Sequence, residues 1–271
     1  MIKKCKVLHI GKGNPCNQYF LNHTLLPVVQ SEKDLGVLVS NDWKWNQHIE
    51  SCINKAKSCI AWITRNVISR SPEVMLKLFK SIVRPHIEYC VQLWSPMASH
   101  GNWASILALE DIQRSFTRLI DGIGLLTYEN RLSSLGLTTL LERRSRGDLI
   151  ETFKIVNGIS NYGTNLFKMS RSGKKLISRP GDENPVKHRF FARRVINYWN
   201  KLPSYVTDAK SVDSFKNRLE KFKKEHFNKL GNYWELSDEI FSRIFNSNRN
   251  NYIEFMRNNP EITKIRKINT T

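Results

Sequence analysis

The chain is predicted to be mainly α, a helical bundle preceded by a short β-rich segment. Three observations lead there. Through most of residues 43–227, apolar side chains recur every three to four positions, the spacing of one helix face. Serine, threonine, proline and glycine stand where such stretches begin and end. Short β-branched runs separated by turn residues are confined to the first 40 residues. The 271 residues are enough to bury a large core. No run of about 18 apolar residues occurs, so no membrane-spanning helix is expected. The opening Met1-Ile2-Lys3-Lys4-Cys5-Lys6 lacks the apolar core of a signal peptide.

The elements follow in order. Lys6–Ile10 reads as a strand ending at Gly11, and Asp34–Val39 as a second. From Trp43 to Val67 the residues Trp45, Ile49, Cys52, Ile53, Ala56, Cys59, Ile60, Ile63 and Val67 form one stripe, a helix of about six turns. Ser71-Pro72 is an N-cap with proline at the first helical position, opening a helix to Val83. Pro85 is expected to restart the chain, with a buried helix over His86–Trp94 that Ser95-Pro96 breaks. Ile106–Ile120 is amphipathic. Thr127 caps a short helix ending near Gly136, and Thr138 or Thr139 starts another that Asn157-Gly158 stops. Residues 158–188 lose apolar periodicity and read as a long loop with a short strand pair. Helices resume over Arg189–Leu202 and from the Ser211 cap to Phe227. This divides the chain into a β-rich 1–40, a bundle 41–157, a basic loop 158–188, terminal helices 189–230 and an Asn-rich tail 231–271.

Charge is the outlier in composition. Lys and Arg number 43 against 24 Asp and Glu, a net +19. Residues 1–100 carry +7, residues 101–160 are neutral, residues 161–230 carry +11 and the tail +1. Polyanions are the expected partners, nucleic acid above all and an anionic membrane surface second. In the basic block Lys174, Lys175, Arg179, Lys187, Arg189, Arg193 and Arg194 are interleaved with Phe190, Phe191, Tyr198 and Trp199. Cations neutralise phosphates and aromatics stack on bases; the aromatics read first as core.

Catalytic signatures are weak. Gly11-Lys12-Gly13 lacks the spacing of a phosphate loop. Five cysteines (Cys5, Cys16, Cys52, Cys59, Cys90) form no C-x-x-C pair, and no histidine stands at metal-ligand spacing from another His or Cys. Two-metal chemistry needs clustered carboxylates. The adjacent acidic pairs Glu110-Asp111, Asp182-Glu183 and Asp238-Glu239 read as solvated surface groups. No metal and no cofactor is expected.

Several stretches in order resemble the carboxy-terminal part of jockey-like non-LTR retrotransposon reverse transcriptases. They are Lys3–Gly11, Ser31–Val39, Trp43–Ile49, Leu78–Cys90, Gln113–Ile120, Tyr128–Leu137, Glu142–Ile150, Arg193–Pro203 and Ser211–Lys216. Nothing from about Asn228 onward matches. The resemblance implies a thumb-like helical bundle behind a β-hairpin remnant of the polymerase palm. It places Lys4 at the late-palm lysine that assists nucleotide addition as a general acid. It gives the thumb a template–primer duplex of RNA or DNA to hold, with Lys55, Lys57 and Arg65 on the contacting helix.

The family's metal-binding aspartates lie upstream of the Lys4 position. The expectation is therefore a truncated RNA-directed DNA polymerase, inactive alone, that keeps a nucleic-acid-binding region. Magnesium is implied only for a full-length polymerase. An intracellular location, nucleus or cytoplasm, and self-association through exposed strand edges are expected. Two other readings stand beside it: a structural relic, or a protein-interaction or membrane-surface module using the basic helix Ser211–Phe227.

Overall fold

The computed structural model describes residues 5–11, 13–96, 103–160, 166–173, 175–177 and 190–226. Of these, 56% are helical and 10% lie in strands, so the fold is mainly α. Lys4, Lys174, Arg179, Lys187, Arg189, Asp182, Glu183 and the tail 231–271 lie outside the described residues.

The β-rich start is three separate two-stranded sheets. β1 (Val7–Leu8) is shorter than the expected Lys6–Ile10 and runs parallel to β4 (Val28–Val29). β2 (Phe20–Leu21) and β3 (Thr24–Leu25) form a hairpin across Asn22 and His23, both at positive φ. β5 (Ser31–Asp34) and β6 (Val37–Ser40) form a second hairpin. The single strand expected over Asp34–Val39 is thus corrected. Leu35 (φ 44°) and Gly36 (φ 89°) are both left-handed, as a two-residue turn between twisted strands demands. Gly36 also lets the turn sit on Tyr89: a Cβ there would lie 3.3 Å from the ring, while the Tyr89 hydroxyl donates to Leu35 O (2.9 Å).

α1 (Asn46–Asn66) begins three residues later than its apolar stripe, because Trp43 takes a positive φ. The stripe then behaves as read: Ile49, Cys52, Ile53, Ala56 and Ile63 are buried. α2 (Pro72–Leu78) does not stop at Val83. It runs through a π turn (Phe79–Val83) into α3 (Arg84–Glu88), so Pro85 sits inside one continuous helical rod. Proline has no N–H, and its ring crowds the carbonyl four residues back. The π turn just upstream widens the backbone there, with the Arg84 N–H reaching five residues back to Phe79 O. The break falls instead at Tyr89-Cys90, where Cys90 is left-handed before α4 (Val91–Trp94).

α5 (Trp103–Thr117) is buried on nearly every side. α6 (Tyr128–Ser134) is capped by the Thr127 hydroxyl, which accepts from Asn130 N–H. Its end is a Schellman motif: Leu137 N–H bonds Leu132 O and Gly136 N–H bonds Ser133 O. α7 (Leu140–Val156) repeats the scheme, with Thr139 accepting from Glu142 N–H and Gly158 and Ile159 closing onto Ile155 O and Lys154 O. β7 (Lys168–Met169) pairs antiparallel with β8 (Leu176–Ile177). α8 (Phe191–Arg194), α9 (Ile196–Lys201), α10 (Ser204–Thr207) and α11 (Val212–His226) complete the order; the single helix expected over Arg189–Leu202 is broken at Val195.

The core is two hydrophobic clusters. The first joins Val37 of β6, α1, the α2–α3 rod, α4 and one face of α5. The second joins the other face of α5 to α6, α7, β8 and the terminal helices. Phe215, Leu219 and Phe222 of α11 are buried in it, with Phe215 stacked 4.4 Å from Phe153. The apolar face that a membrane-surface helix at Ser211–Phe227 would need is therefore already used.

Candidate functional site

α1 decides how its cations are presented. A helix turns about 100° per residue, so Lys55 and Lys57 leave it on opposite flanks of the buried stripe, and Arg65 points nearly away from it. All three are exposed. They do not form one patch. Lys55 and Arg65 instead belong to a stripe at spacings of four and three: Ser51, Lys55, Ser58, Trp62, Arg65. Trp62 is half-exposed (50%).

The Lys55 flank is the wall of an open groove of about 620 Å³. Gln47, Glu50, Ser51, Asn54, Lys55, Ser58 and Cys59 line it from α1, and His86 faces them from α3. Polar side chains line it, with one carboxylate and one ammonium, although apolar atoms make up more of its wall than polar ones. Concavity, hydrogen-bonding side chains and an adjoining cation suit a chain-like ligand with both polar and apolar parts.

The basic block is placed less uniformly. Lys175 is exposed beside β8, its backbone N–H held by Ser170 Oγ (3.2 Å). Arg193 is half-buried. Arg194, read as a phosphate contact, is corrected: it is 6% exposed and forms a bidentate pair with Asp148, at 2.7 and 3.0 Å, while also donating to Val91 O. Burial pushes the Asp148 carboxyl up, and the Arg194 guanidinium opposes that shift. The aromatics of this block are core as read, Trp199 fully and Phe190, Phe191 and Tyr198 in part.

Glu110 also departs from expectation. It is fully buried rather than solvated, because α5 has no free face. Its carboxyl accepts from the Tyr128 hydroxyl and from Leu140 N–H (2.9 Å). Burial pushes its pKa up despite these bonds, and pushes the Tyr128 hydroxyl well up as well. Gln113 Nε2 donates to the Tyr128 hydroxyl, while Arg114 and Arg131 lie over that ring at 5.0 and 5.5 Å. Arg144 lies nearby, 2% exposed, with none of its three side-chain nitrogens hydrogen-bonded; burial lowers its pKa while Glu110, Glu88 and Asp148 hold it charged. This polar seam lies where the two clusters meet. It is built for cohesion, because Glu110 and Asp148 already have partners among the described residues.

Among the described residues, no group of three or more His, Cys, Asp or Glu is placed to hold a metal ion, and no helix is long and apolar enough to cross a membrane. Comparison of the chain with protein-family models, curated proteins and solved structures returns no match. Trp62 is the residue that sequence reasoning passed over. Its signal was an aromatic lying one position off an otherwise clean stripe, between two cations of the opposite flank.

Proposed function

We propose that this chain is a nucleic-acid-binding segment of a retrotransposon reverse transcriptase, with the β sheets of 1–40 as palm remnant, α1 to α7 as thumb-like bundle and Lys4 in the place of the late-palm lysine. The observation that carries the binding reading is the groove along α1, lined by Lys55, with Arg65 further along the same helix stripe, in a chain of net charge +19. Lys55 and Arg65 are ten residues apart, about 15 Å along the helix, a span that matches several phosphates of one strand. Binding of this kind is electrostatic and weakly sequence-selective. The ordered resemblance over residues 3–227 supplies the polymerase context.

The test is the salt dependence of binding to an RNA–DNA hybrid. If about six phosphates are neutralised, log affinity falls with log salt at a slope near −5. Lys55→Ala with Arg65→Ala flattens that slope by about one to two units. A slope equal to wild type removes α1 from the contact surface. Lys174→Ala with Lys175→Ala tests the basic loop in the same way; Arg194 is excluded from such a series by its place in the core.

A further inference from the structure

Trp62 stands out among the large aromatic residues of α1. Trp45, at the N-cap, packs against the first cluster, whereas Trp62 is half-exposed about 100° further round the helix, with no ring or hydrogen-bond partner for its indole among the described residues. With half its surface in water, the indole forgoes much of the hydrophobic gain a buried ring would have. Folding does not explain its place. Its exposed partners along the stripe are polar, which argues against a protein-docking patch: Ser58 lies four residues before it, Lys55 seven before, and Arg65 three after.

We propose that Trp62 is a base-stacking residue and that the α1 stripe takes a single strand, or the unpaired end of a duplex. This rests on the nucleic-acid reading above and narrows it. Lys55 and Arg65 bracket Trp62 along the helix at about 10 Å and 5 Å, so a strand whose phosphates meet both cations lays a base over the indole. A ring can stack only on a base whose face is open; inside a continuous duplex both faces are taken by neighbouring pairs. Ser51 adds a hydroxyl to the backbone track, and His86 faces it across the groove. The selectivity is for strandedness and not for sequence, because every base offers a π face.

The test uses the full chain and three probes of equal length: a thymine oligonucleotide, the same backbone without bases, and a blunt duplex. Trp62→Ala weakens binding of the thymine strand by about 5- to 150-fold, the range one stacked base carries. Binding of the abasic strand and of the duplex stays within twofold, and the salt slope is unchanged. Trp62→Phe recovers most of the loss. Trp62 is exposed, so the far-ultraviolet circular dichroism of the variant matches wild type. Equal affinity of wild type and Trp62→Ala for the thymine strand overturns the proposal while leaving electrostatic binding in place. An equal loss on the abasic strand also overturns it, since the effect is then not stacking. Failure of wild type to bind any of the three probes overturns the nucleic-acid reading as a whole.

Discussion

At the scale of single residues, the arginines separate into two populations that sequence spacing alone does not distinguish. Arg194 spends its guanidinium on Asp148 inside the molecule. Removing one partner of such a pair leaves the other charge buried and uncompensated, so Arg194→Ala costs about 3–5 kcal/mol. Replacing both, with Arg194→Met and Asp148→Leu, costs less than Arg194→Ala, because neither charge of the pair is then desolvated, but it falls short of neutral because buried Arg144 loses a carboxylate. Urea melts of the two variants check this, and equal destabilisation of both would show that the pair is not the source. Adjacent Arg193 is only half-buried, although both are basic residues in the same short run. The difference is invisible in the sequence because it depends on α7 bringing Asp148 across 46 residues of chain. Glu110 was misjudged for a related reason: its solvation depends on whether α5 is a surface helix or a shared one.

At the scale of elements, the helices were legible wherever an apolar stripe coincided with a cap. α6 and α7 show this best, each with a threonine whose hydroxyl takes the expected N–H and a glycine that closes a Schellman end. What escaped was backbone geometry set by few residues: the Leu35-Gly36 turn inside an apparent strand, and the π turn that absorbs Pro85. One joint between elements depends on protonation. Leu38 N–H of β6 donates to His48 Nδ1 of α1 (3.1 Å), which leaves the ring proton on Nε2, 3.4 Å from Cys52 Sγ. Burial, with Lys55 and Lys33 nearby, holds the His48 pKa below 6.5. A histidine whose folded pKa is depressed adds stability above its unfolded pKa and loses it as pH falls through the folded one. Protonated Nδ1 would also confront the Leu38 N–H donor to donor. As pH falls below the ordinary histidine value of 6.5 and through the lower folded one, the Leu38 amide therefore exchanges hydrogen faster than its intrinsic rate change explains, while amides of α5 do not. Exchange that tracks the intrinsic rate alone at Leu38 would remove His48 as the latch.

At the scale of the whole molecule, charge is unevenly distributed along the chain. Residues 13–31 contain no Lys, Arg, Asp or Glu, although charged residues make up 25% of the sequence. The same stretch exposes Tyr19, and Phe20, Leu21, Leu25 and Val28 on two-residue strands with open edges. Natural edges are usually guarded by charge, and these are not. Two copies at +19 repel each other, and salt screens that repulsion. Self-association thus strengthens from about 0.1 M to 0.5 M salt, the range over which nucleic-acid affinity falls. Sedimentation velocity at the two salts reads it directly, and Phe20→Lys with Leu25→Lys keeps the chain monomeric at both. A monomeric wild type at 0.5 M salt would refute the edge as an adhesive surface.

The sharing of α5 between two clusters has a consequence for synthesis. Every buried member of the first cluster lies within residues 37–140, and the second is complete only at Phe222. At roughly 5–20 residues per second, a ribosome needs about 4–16 s to make that difference. For that interval the nascent chain can close its first core while Ile106 and Leu107, on the other face of α5, still face water. A chaperone that recognises apolar helix faces has its substrate during those seconds, and ribosomes stalled once residue 140 has cleared the exit tunnel would capture it.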